Sequence, residues 1–238
     1  MTIELKLSNE IDRTNDQFTS AVKQQLKDLT KFSDLALEWL MMEHYQFSER
    51  NAGFLLTAVN TTKQFKESGV TKELKRNFNE EENHSIIYKK SLLEIGTNVD
   101  KHIEFTPTTE FFATISKLIA TCPSCTLGAM YATETAAIFE HVVFRDISYT
   151  IIKRREKNWE KSRLKAFHDM HLNGVEQGHK DGLAMFIDLA EEHDFGSASE
   201  SLNEQLIRKN LVINGANQAI DAMIVWWKAL LTQTENMK

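Results

Sequence analysis

Carboxylates and imidazoles recur at helical spacing three times in this sequence, each time beside apolar or aromatic neighbours. Glu81 and His84 stand three residues apart in Glu80-Glu81-Glu82-Asn83-His84. On a helix that spacing projects a hard oxygen and a nitrogen donor from one face, about one turn apart. A first-row transition metal takes this pairing inside a helical bundle, although a solvated charge run has the same composition. Glu134 is the lone charge between Leu127 and Ile138, and a carboxylate buried there needs a partner or a metal. His141 follows nearly in phase, so a plain Glu-His hydrogen bond is the structural alternative.

The densest group lies between Phe167 and His179, where His168, Asp169, His171, Glu176 and His179 fall in one short span. Glu176 and His179 repeat the three-residue pairing. In a regular helix His168 sits about 20° from His179 but roughly 16 Å along the axis, too far to share one metal centre. His171 points elsewhere unless a π-bulge absorbs one residue, which Asn173-Gly174 would permit. The bulged form, with His171 aligned with Glu176 and His179, is the expected one.

These residues need helices to carry them. Only two prolines and nine glycines interrupt 238 residues, and 42% of side chains are hydrophobic, enough for one sizeable core and one domain over residues 1–238. Periodicity predicts helices at about Asp12 to Leu29, Asp34 to Thr62, Thr71 to Ile95, Thr108 to Ala120, Thr126 to Lys157, Trp159 to Glu192 and Ser199 to Thr234. Apolar positions around most of the second mark it as central. No strand periodicity is visible.

A formal charge of -6 argues against nucleic acid as a partner. No apolar run is long enough for a membrane span, and Met1 to Asn9 lacks a signal-peptide pattern, so a cytoplasmic protein with no membrane partner is expected. Cys122 and Cys125 form a C-x-x-C pair with Pro123 inside. A redox role would gain support from a βαβ context that is missing, which leaves two small buried cysteines at a helix start as the simplest account.

The ordered set of Glu-x-x-His, then Leu-Gly-Ala-Met-Tyr-Ala-Thr-Glu, then a histidine- and acid-rich helix ending at His179 resembles the haem-oxygenase-like iron oxidases and oxygenases, relatives of TenA-type thiaminase II. The resemblance runs from about Leu37 to Ala184. It implies an all-α, single-domain haem-oxygenase-like bundle of about seven helices, often a homodimer. For the metal ligands it implies Glu81, His84, Glu134, His171, Glu176 and His179, with Glu43 as an added carboxylate from the central helix and His44 beside it. His171 departs from the family pattern by standing five rather than four residues before Glu176. Tyr131 is the implied catalytic residue, but Leu127 occupies the place of the TenA cysteine nucleophile.

Two classes of function follow. One is a non-haem iron enzyme holding one or two ions, most simply a di-iron oxidase or oxygenase acting on a small organic substrate. The other is a metal-free TenA-like protein, either a small-molecule-binding protein or an aminopyrimidine hydrolase. Phe47, Phe54, Phe111, Phe112, Phe139 and Tyr131 suit an apolar cavity and an ordinary helical core equally. Trp226 and Trp227 serve either an interface or the interior.

Overall fold

Capping and breaker residues set the helix ends in the computed structural model, which describes residues 6–190 and 206–237. The helices are α1 (Leu7–Gln25), α2 (Asp34–Thr62), α3 (Ser68–Glu81), α4 (His84–Glu94), α5 (Thr106–Ile119), α6 (Pro123–Arg154), α7 (Arg163–Met170), α8 (Glu176–Ile187) and α9 (Lys209–Asn236). A π-helical turn, His171–Val175, joins α7 to α8. No β-strand occurs among the described residues, and none of their helices is long and apolar enough to cross a membrane. The expected ends at Glu192 and Ser199 lie outside the described residues.

The Ser33 hydroxyl accepts the Ala36 N–H at 3.1 Å and caps α2, satisfying one of the free donors of its first turn. Pro123 occupies the first position of α6, and Lys153 and Arg154 close it where the helix dipole favours cations.

The most enclosed helix is α6, not α2. It is buried continuously from Pro123 to Ala136 and packs against α1, α2, α5, α7, α8 and α9. Helix α2 instead leaves Leu35 and Leu56 exposed, at 66% and 45%. Small residues put α6 at the centre. A Cβ on Gly128 would collide with the Val212 carbonyl, and one on Gly215 with that of Cys125, so α6 and α9 touch backbone to backbone. The buried apolar side chains form one continuous core. Trp226 and Trp227 belong to it, their indole N–H groups donating to Thr108 at 2.8 Å and Glu140 at 3.0 Å.

The helix expected over Thr71 to Ile95 is divided. Helix α3 stops at Glu81 and α4 restarts at His84, with Asn83 at φ -111° and ψ -3° between them. Three consecutive acids, Glu80 to Glu82, sit at the negative end of the α3 dipole, and Asn83 has low helix propensity, so continuation is disfavoured there. The break re-aims His84 relative to Glu81.

Candidate metal centre

The buried stripe of α3 is Val70, Leu74, Asn77 and Glu81, and helical periodicity carries Glu81 inward with it. The Glu81 side chain meets His84, where Nδ1 lies 2.9 Å from Oε1. Oε1 nevertheless has no hydrogen bond of acceptable angle. The same His84 Nδ1 lies 3.1 Å from Nε2 of His171. Neighbouring donors on one octahedral ion bonded at about 2.1 Å stand about 3 Å apart. The three donor atoms lie within 4.8 Å of one another, close enough to share one ion.

His171 reaches this position through the π-turn. Asn173 (φ -87°, ψ 23°) and Gly174 (φ 126°, ψ -10°) leave helical geometry and absorb the extra residue between His171 and Glu176. The Phe167 carbonyl accepts from His171 Nδ1 at 2.7 Å, which fixes the proton there and leaves the Nε2 lone pair facing the cluster. A Cβ on Gly174 meets nothing within 4 Å, so its backbone angle alone demands glycine. Gly174→Ala should therefore lower stability by about 1–2 kcal/mol. Gly178→Ala, in a regular helix with open space around it, should be neutral or stabilising by up to about 1 kcal/mol. Urea unfolding of the two variants checks this; equal effects would refute the strained turn.

On α8, Glu176 offers Oε1 to His141 Nε2 at 3.4 Å and to His171 Nε2 at 3.9 Å, and Oε2 to His179 Nδ1 at 3.8 Å. His179 Nδ1 also lies 3.1 Å from Glu134 Oε2, and its Nε2 lies 2.9 Å from Glu80 Oε2. Three sets of donor atoms thus converge: Glu81, His84 and His171; His141, His171 and Glu176; and Glu81, Glu176 and His179. Glu81 and Glu176 each belong to two of them, so they are the carboxylates placed to be shared.

The structure brings together Glu81, His84, Glu134, His171, Glu176 and His179. Glu43 is not among them. Its carboxylate is turned to His102 Nε2 at 2.5 Å and Thr108 Oγ1 at 2.6 Å. Consecutive helix residues point about 100° apart, and His44 is the one that faces the centre, stacked on Phe144 at 3.9 Å with Nδ1 3.2 Å from the Tyr88 hydroxyl. Tyr131 is also elsewhere, its hydroxyl donating to Asp12 at 2.8 Å.

Sequence reasoning missed His141 as a donor. Its phase with Glu134 was the signal, but His141 does not pair with that carboxylate. Its Nδ1 meets His168 Nδ1 at 3.1 Å, and His168 Nε2 meets Ser148 at 3.3 Å. His168 is therefore a support for His141 and lies behind the cluster. Asn77, fully buried one turn before Glu81 with both amide atoms unpaired, was signalled only by the α3 stripe.

Burial and mutual charge perturb the titration of these groups strongly. Burial, then the charges of Glu134 and Glu81, push the Glu176 carboxyl well above its ordinary range. Burial opposes charge on His179, but its bond to Glu134 and the surrounding carboxylates win, raising it to about 10. Burial holds His141 and His171 down at about 3. Glu140, which faces His44 across 3.9 Å, is raised to about 8 by burial. The enclosed space is about 30 Å³, reached between α2 and α6 beside Phe47, Ser48, Asn51 and Ala137.

No family model and no curated protein matches the chain. Solved structures do. A CADD-like protein of unknown function from Nostoc punctiforme is 21% identical, covers 94% of this chain and 98% of its own, and superposes with a TM-score of 0.71. A TenA homologue from Pseudomonas syringae pv. tomato is 14% identical over 95% of this chain and 91% of its own, with a TM-score of 0.66. A domain of unknown function with a haem-oxygenase-like fold from Shewanella denitrificans is 15% identical over 99% and 97%, with a TM-score of 0.60. The chain thus has the haem-oxygenase-like fold.

Proposed function

We propose, on the premise of the haem-oxygenase-like fold, that this protein is a non-haem iron oxidase or oxygenase that uses a two-metal centre to activate dioxygen against a small organic substrate. One observation carries the reading: Glu81, His84, Glu134, His141, His171, Glu176 and His179 converge, all buried, while Glu81 Oε1 lacks a hydrogen bond. Structural zinc is satisfied by four ligands, whereas mixed carboxylate and imidazole sets of higher number suit iron. Seven donors exceed what one octahedral first-row ion takes, and the three carboxylates would leave two divalent cations with a net charge of only +1.

His84, His141, His171 and His179 would hold the ions through neutral nitrogens, and Glu81, Glu134 and Glu176 through their carboxylates. When bound, iron would supply the electrons and the binding position for dioxygen. The chain supplies the rest. His168 and the Phe167 carbonyl orient His141 and His171, and Glu80 orients His179. Glu140 holds a proton at neutral pH. Trp227 donates to its Oε1, so the proton sits on Oε2, facing His44. That carboxyl is a proton donor at the cavity edge. Phe47 and Phe167 line the cavity of about 30 Å³ beside the centre and limit water there.

Protein loaded anaerobically with ferrous iron should consume about one dioxygen per two-metal centre on mixing with air-saturated buffer, followed with an oxygen electrode. Full iron loading with no uptake beyond that of free ferrous iron would overturn the oxidase reading. The TenA-type alternative draws no support from Leu127 and Cys125, neither of which reaches the cavity lining.

A further inference from the structure

The C-x-x-C pair stands apart from the metal centre and does not fit the account of two inert buried cysteines. Cys122 is only half-buried, while Cys125 is buried. Cys122 is the N-cap of the 32-residue helix α6, in extended conformation at φ -154° and ψ 154°. Its sulfur accepts the Cys125 N–H at 3.2 Å, and the two sulfurs lie 2.7 Å apart. Pro123 fixes the helix start between them. Ser124 ties the following chain across this end, donating to the Leu206 carbonyl at 3.3 Å and accepting the Arg208 N–H at 3.1 Å.

We propose that Cys122 and Cys125 form a thiol–disulfide exchange site for low-molecular-weight disulfides of the glutathione class, with Cys122 attacking and Cys125 resolving. The arrangement supplies what each step needs. An accessible sulfur at a helix N-terminus is stabilised as thiolate by the backbone N–H and the dipole. In agreement, the Cys125 S–H, the Cys125 N–H and Arg208 lower the Cys122 pKa against the effect of burial, and Cys125 is correspondingly raised. The Cys122 thiolate attacks one sulfur of the disulfide, forming a mixed disulfide and expelling one thiolate, which takes a proton from solvent. Cys125 then gives up its proton and attacks the Cys122 sulfur, expelling the second thiolate. The dithiol loses two electrons, and the disulfide becomes two thiols. Closing the ring asks the sulfurs to approach by less than about 1 Å.

The test uses the full chain, reduced and freed of reductant, in metal-free and iron-loaded form. Alkylation at pH 7 read by peptide mass spectrometry should label Cys122 at least ~10-fold faster than Cys125. Oxidised glutathione should give an intramolecular disulfide, seen as loss of two hydrogens and of both alkylation sites, with no lasting adduct. Cys125→Ser should instead retain one glutathione on Cys122. Cys122→Ser, which keeps a good N-cap, should form neither. Thiols that stay free under excess oxidised glutathione, or faster labelling of Cys125, would overturn the proposal. The metal-free arm keeps that outcome separate from the fate of the iron reading.

Discussion

His171→Ala and His179→Ala are each expected to weaken ferrous iron binding by more than ~100-fold, whereas His168→Ala weakens it about 10-fold and Glu43→Gln leaves it unchanged. The ranking follows from position. His171 is the one histidine present in two of the three convergent donor sets, and His179 links Glu134 to Glu176. Removing His179 also leaves Glu134 without its charged partner in a buried pocket. His168 touches no carboxylate of the centre. It holds the Nδ1 of His141, and losing such a support typically costs 10- to 100-fold. Glu43 is occupied by His102 and Thr108 on another face of α2. Isothermal titration with ferrous iron under anaerobic conditions reads all four. A loss at His168 exceeding that at His171 would reverse the assignment.

The second large effect is on stability. Metal-free protein should be most stable near pH 6 and lose stability on both sides. Burial holds His44, His141, His168 and His171 neutral in the folded chain, so their pKa values are depressed. As pH falls through the unfolded value of about 6.5 the unfolded chain takes up protons that the folded chain refuses. Glu140 and Glu176 act oppositely, because their raised carboxyls already carry protons in the folded state. The four histidines outnumber these two carboxyls, and Glu43, also raised by burial, offsets part of the remainder. The net loss is roughly 1.4–2.7 kcal/mol per pH unit between about 6 and 4.5. Above pH 6.5 the sign inverts. Folded His179 keeps its proton to about 10 and Glu140 to about 8, so stability is lost as pH rises through those values. Iron replaces the protons on His179 and Glu176 and should flatten this alkaline limb. Urea unfolding from pH 4.5 to 9 with and without iron checks both limbs. A flat profile for metal-free protein would contradict the burial of these groups.

Local spacing makes part of the centre legible in the amino-acid sequence. The five-residue spacing from His171 to Glu176, one more than a regular helix would align, with Asn173-Gly174 inside, calls for a π-turn, and the turn is there. The Glu81 and His84 pairing is legible in the same way, but the break between them is not. Its cause is the acid run against the α3 dipole, a local electrostatic cost that apolar periodicity does not record. The choice between Glu43 and His44 depends on the rotation of a long helix whose apolar residues surround most of its circumference, so no stripe fixes its phase. His141 is visible in the sequence only as a partner for Glu134; the preference of Glu134 for His179 depends on how α8 docks against α6. All-helical architecture, by contrast, follows from patterning over many residues and is insensitive to such details.

The central claim is a two-metal centre held by Glu81, His84, Glu134, His141, His171, Glu176 and His179. Elemental analysis of protein reconstituted anaerobically with ferrous iron and passed through a desalting column tests it most directly. The account predicts about two irons per chain, falling below one in Glu176→Ala. Iron well below one per chain in the unsubstituted protein, with zinc and manganese equally low under the same treatment, would contradict it.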